Sequence, residues 1–212
     1  MIKTKLLTTC LVFILGLFFS FTNILGQTVP NSTSSAWSKL DQGKIDEAIN
    51  NLSPISKLPD DTLYFLITLK ENTQRLFKPT PIERCLFDIK LSGKRLKESY
   101  LLLKKGENEK TGQNLKRYND KANDIYEQFE KIEKQNLPNV QTADYLIINL
   151  FYQQRLISAA TAEDQLATNS NLQINFKESV GKYESLVKLA IEKTPERSHE
   201  LTQILPPENL IK

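Results

Sequence analysis

Residues 80–138 read TPIERCLFDIKLSGKRLKESYLLLKKGENEKTGQNLKRYNDKANDIYEQFEKIEKQNLP, and their spacing decides the fold. Thr80-Pro81-Ile82-Glu83 is a helix start: threonine caps, proline takes the first helical position, and Glu83 completes a capping box. Apolar residues then fall at Ile82, Leu86, Ile89, Leu96, Tyr100 and Leu103. Steps of three, four or seven predict one helix of roughly 24 residues, ended by Gly106. Leu115, Tyr118, Ala122, Ile125, Phe129 and Ile132 repeat the pattern as far as Leu137-Pro138. Two helices of matching length joined through KKGENEKTG predict an antiparallel hairpin at 81–136 with a heptad-like seam. Such a hairpin is either a protruding, partner-facing element or half of a bundle. Gly93 lies on the seam. It marks either a tolerated weak point, costing about 1 kcal/mol against alanine, or the close approach of a crossing helix.

Outward from the hairpin, everything periodic is again helical. VQTADYLIINLFYQQRLISAATA (140–162) carries only Asp144 and Arg155 as charges and is apolar around most of its circumference, which predicts a central, buried helix. LATNSNLQ reads as a loop and FKESVGKYESLVKLAIEK as a further amphipathic helix. A last short helix starts at Thr194-Pro195-Glu196 and ends before Pro206-Pro207. On the other side, Asp60 or Asp61 caps a helix whose apolar body is TLYFLITL. Before it, a short hairpin is expected, about Ser35 to Gln42 and Ile45 to Ser53, closed by Pro54. The fold class is all-α: antiparallel helical hairpins forming a bundle or a short repeat-like array.

The first residues speak to compartment. Lys3 and Lys5 precede an apolar run from Leu6 to Phe21, the layout of a secretory signal peptide cut after Gly26. An uncleaved anchor is the competing reading, and the polar break Thr22-Asn23 favours cleavage. Cys10 precedes most of the apolar run, unlike a lipoprotein cysteine. The expected organisation is a leader at 1–26, a flexible lead-in at 27–35, one all-α domain at 36–205 and a loose tail at 206–212. Removing the leader takes two lysines and no acid, so the net charge falls from +3 to +1. A near-neutral exported chain gives no support for nucleic-acid binding. Cys85 is then the only cysteine, so no internal disulfide forms and the core alone holds the fold.

The residue types that carry most chemistry are scarce. His199 is the only histidine, and it stands in a polar terminal helix between Ser198 and Glu200. A catalytic triad, a zinc site or a histidine acid–base pair needs partners around it. Neither a GxGxxG nor a phosphate-binding GKS/T loop occurs. Carboxylates are plentiful, but Asp46-Glu47 opens a helix, and Glu127, Glu130 and Glu133 read as surface acids. No catalytic residue, metal or cofactor is expected. The most uneven charge feature lies between Arg84 and Lys121, with eleven basic and five acidic residues. Lys90, Lys94, Arg95, Lys97, Lys104, Lys105, Lys116, Arg117 and Lys121 form either a docking face for an acidic partner, an anionic lipid surface or an acidic envelope polymer, or a solvated helix face.

The stretch AWSKLDQGKIDEAINNL (36–52) resembles a degenerate tetratricopeptide repeat: Ala36 and Leu40 on a first helix, Gly43 at the turn, Ala48 and Leu52 on a second, then Pro59. YESLVKLAIEKTPE (183–196) resembles the end of such a unit, with Ala190 and Pro195 in matching places. The resemblance implies a non-catalytic protein–protein interaction or scaffolding module. The sequence thus leads to an exported helical protein of the periplasm or cell envelope that binds another protein. The alternative is a carrier of a small ligand or lipid in an apolar cavity between helices.

Overall fold

The structure is a computed structural model that describes residues 40–207 together with Trp37 and Leu210. The leader at 1–26, the lead-in at 27–35 and most of the first helix of the N-terminal hairpin lie outside the described residues. Among those described, eight α-helices form in order: α1 Gln42–Asn51, α2 Tyr64–Leu76, α3 Pro81–Lys104, α4 Asn108–Lys134, α5 Val140–Ala160, α6 Asp164–Thr168, α7 Ser170–Lys193 and α8 Ser198–Thr202. A 3₁₀ turn, Pro195–Arg197, precedes α8.

The α3–α4 hairpin follows from its end signals. Thr80 Oγ1 accepts from the Glu83 amide while Glu83 Oε2 accepts from the Thr80 amide, closing the capping box around Pro81. At the far end Gly106 takes φ +80. The Glu107 amide reaches back to the Leu102 carbonyl and the Gly106 amide to that of Leu103. That is a Schellman stop, and glycine fits its left-handed residue without strain. Asn136, at φ 51, ends α4 the same way, with the Leu137 amide on the Ile132 carbonyl.

Four long helices make the bundle. α3 packs on α4 and α5, and α7 closes the square against the same two. α3 and α5 run in one sense, with Gln153 donating to Ser92, and α4 and α7 in the other, with Gly112 beside Asn175 and Glu133 paired with Lys193. Ile89, Leu96, Leu103, Leu115, Tyr118, Ile125, Phe129, Leu146, Leu150, Tyr183 and Leu186 fill the interior. Burial of each such side chain contributes roughly 1.5–3 kcal/mol. α5 is the central helix expected: every residue from Asn149 to Ala160 is buried. A Cβ on Gly93 would lie 2.7 Å from Leu52 Cδ2 and 3.0 Å from Asn149 Oδ1, so close approach explains this glycine.

Three expectations change. Gly43 is not a turn between helices but sits in the first turn of α1, which Asp41 caps by accepting from the Lys44 amide. The stretch read as a loop, LATNSNLQ, is largely helical. It holds the end of α6 and the start of α7, where the Asn169 side chain accepts from the Leu172 amide and so restarts the helix. The tail is not loose throughout, since Leu210 packs half-buried against the core.

Candidate functional site

The hairpin α3–α4 has two faces, and α2 lies on the second. Looking down α2, Tyr64, Thr68, Glu71 and Arg75 share one side at steps of four, three and four. That side meets the bundle. Tyr64 Oη donates to Glu98 Oε2 at 2.8 Å, and Arg95 donates to both Tyr64 Oη and Glu98 Oε2. Glu71 binds Lys94 Nζ at 2.5 Å and the Arg95 guanidinium. Arg75 grips Asp88 with two nitrogens, at 2.9 and 3.0 Å, while Lys121 bridges Asp88 and Asp124. Arg95 and Arg117 both stack over the Tyr64 ring. α2 therefore runs antiparallel to α3, seated on ion pairs and one buried tyrosine.

The electrostatics of this layer follow from burial. Desolvation pushes the Tyr64 hydroxyl well above its ordinary range, and the negative charge of Glu98 adds to the effect. Burial works against the Arg95 charge, yet Glu98 and Glu71 outweigh it and the guanidinium stays ionised. Lys97 is held lower than usual by desolvation, opposed by Glu98. Its ammonium donates to the Leu52 and Ser53 carbonyls, at 3.4 and 3.1 Å, and so satisfies the C-terminal end of α1.

With the polar residues turned inward, the apolar ones face solvent. Leu63, Phe65, Leu66, Leu69, Leu76 and Phe77 are 47–82% exposed. Only Val140 and Ile174 are comparably open large hydrophobics elsewhere among the described residues. Soluble surfaces scatter such residues singly; six along one helix and its flanks form a patch. This is an amphipathic helix mounted the wrong way round for a core. The apolar run TLYFLITL signalled it, but periodicity shows only that a helix has an apolar side, not whether that side faces in or out.

The sequence-expected basic face is broken up by the same arrangement. Lys94, Arg95 and Lys97 are buried, the first two bound to Glu71 and the third to backbone carbonyls. Arg117 lies against Tyr64, and Lys121 is taken by Asp88 and Asp124. Lys104 pairs with Glu163 and Lys105 with Asp60, at the far end of α3. Lys90 and Lys116 project into solvent, from different helices. The nine residues thus do not share one environment: α2 covers Lys94, Arg95 and Arg117, Lys97 and Lys121 are tied elsewhere on the bundle, and Lys90, Lys104, Lys105 and Lys116 stay open to solvent.

Cys85 is fully buried as a free thiol, pushed up by desolvation, and takes no part in this surface. His199 is exposed on α8, remote in sequence from the layer. Beside α5, Leu96, Tyr100, Leu156, Ala160, Leu166 and Phe176 border a void of about 10 Å³, hardly room for one water. No helix among the described residues is long and apolar enough to cross a membrane. Comparison with curated proteins and with solved structures returns no match. A family model does match, over residues 56–204, a span that starts just before α2 and ends just after α8. The chain belongs to the family of that model, the domain of unknown function DUF5667.

Proposed function

We propose that this protein is an exported, non-catalytic helical protein of the periplasm or cell envelope that works by docking onto another envelope component through the outer face of α2. One observation carries the reading: six large apolar side chains stand open on a helix whose polar side is spent on its own bundle. Exposing that much apolar surface costs free energy unless something covers it. The buried carboxylates support a non-catalytic role, because Glu71, Glu98 and Asp88 are each tied to cations beneath α2. The apolar run Leu6–Phe21 behind Lys3 and Lys5 supports export. The carrier alternative finds little room, with about 10 Å³ beside the packed α5.

Fractionation of producing cells tests the proposal. The chain is expected to sediment with the envelope, and Phe65→Ser with Leu69→Ser to move it into the soluble exported fraction. If wild type and variant are equally soluble after export, the α2 face is not a docking site and the proposal fails.

A further inference from the structure

We infer that the surface covering α2 is an anionic phospholipid bilayer, on which the helix lies flat. This rests on the docking reading above and names the occupant of that same face. Charge is the first argument. From Thr62 to Pro79 the single carboxylate is Glu71, and it is buried between Lys94 and Arg95. The charge pointing outward on the helix is Lys70, while half-buried Lys78 at its end lies near both Glu83 and exposed Lys90. Asp61 and Glu83 lie at the two ends of the helix, but between them the open apolar face carries Lys70 and no exposed acid, which suits an anionic headgroup layer.

Symmetry is the second argument, and it disfavours a second copy of the chain. The exposed run from Leu63 to Phe77 is centred on Lys70. Two α2 helices pairing antiparallel about a twofold axis would set Lys70 against Lys70, with no carboxylate on either face to neutralise them. Shape is the third. α2 is a ridge with a phenylalanine near each end, and its underside is fixed by ion pairs, so it cannot roll its leucines inward. A fluid lipid surface accepts a ridge without needing a matching groove.

Flotation of the exported chain with vesicles tests the assignment, using phosphatidylcholine alone and phosphatidylcholine mixed with phosphatidylglycerol. Binding is expected to be at least tenfold stronger to the mixed vesicles and to weaken as salt is added. Phe65→Ser with Leu69→Ser should abolish it while leaving helical content unchanged, and Lys70→Glu should weaken it about fivefold. A chain that floats with neither vesicle, yet still sediments with envelopes in cells, overturns the lipid assignment and leaves the docking reading standing. Two further results also overturn it: a dimer in solution that the double variant splits, or a photo-crosslinker at position 69 that captures one protein instead of lipid.

Discussion

The two faces of the α3–α4 hairpin are built from opposite materials. One carries Ile89, Leu96, Leu103, Leu115, Ile125 and Phe129 and is sealed by α5 and α7. The other carries Asp88, Lys94, Arg95, Glu98, Lys121 and Asp124 and is covered by α2 alone. Apolar packing is non-directional and grows with area, so the first face makes a cooperative bundle. Buried ion pairs only offset the cost of their own desolvation, so the second face fixes where α2 sits more than it adds stability. The bundle is what folds, and α2 is what the bundle presents.

The comparison breaks most visibly at Phe129, 1% exposed in the bundle interior. Phe129→Ala is expected to cost about 3–5 kcal/mol by lost burial and the cavity left behind. Denaturant unfolding should show the whole bundle weakened in a single transition. Glu71→Ala acts on the other face and should behave differently. It leaves Lys94 and Arg95 with one partner fewer under cover, a change worth about 3 kcal/mol to the attachment of α2. Hydrogen exchange should show α2 amides opening about 100-fold more often while α3, α4, α5 and α7 keep their protection. Loss of protection across all five helices would show that α2 and the bundle are one cooperative unit.

How far the sequence reached follows the same division. The hairpin, its capping box, its Gly106 stop and the buried α5 were legible because each rests on local end chemistry or on a period that only a helix satisfies. The orientation of α2 was not legible. Phe65, Leu66, Leu69 and Leu76 have the spacing of a core stripe, and only their three-dimensional neighbours show that the core lies on the opposite side. The fate of the basic cluster was hidden for a related reason. Lys94 and Arg95 look like solvated residues until Glu71, more than twenty positions earlier, is folded over them. Gly43 misled because a glycine before an acidic helix start fits a turn and a first helical turn equally well.

Alkaline pH gives a smaller and separable effect. Burial raises the Cys85 thiol above its ordinary value of 9.0 and the Tyr64 hydroxyl above 10.0. A group raised in the folded state holds its proton there while the unfolded chain loses it. Its stabilising contribution is therefore complete below the ordinary value and is lost as pH rises past it. Melting temperature should hold up to about pH 9 and then fall, with the thiol accounting for about 1.4 kcal/mol by pH 10. In Cys85→Ala the decline should begin near pH 10, where tyrosines take over. An onset still at pH 9 would mean that the thiol is not what the fold protects.

The smallest effect is the most discriminating, because it sets one phenylalanine against another. Phe65 is 61% exposed on α2, in the same helical protein and with the same side chain as Phe129. Its ring has little burial to lose, so Phe65→Ser should shift unfolding by no more than about 0.5 kcal/mol in either direction. Serine is also a slightly weaker helix former, which sets the lower edge of that range. A loss of several kcal/mol would mean that α2 buries its apolar side against the bundle. The ion-paired seat of Tyr64, Glu71 and Arg75 would then be the wrong description of its underside. A near-zero change leaves Phe65 with no structural reason to be aromatic, and its reason then lies in whatever covers α2.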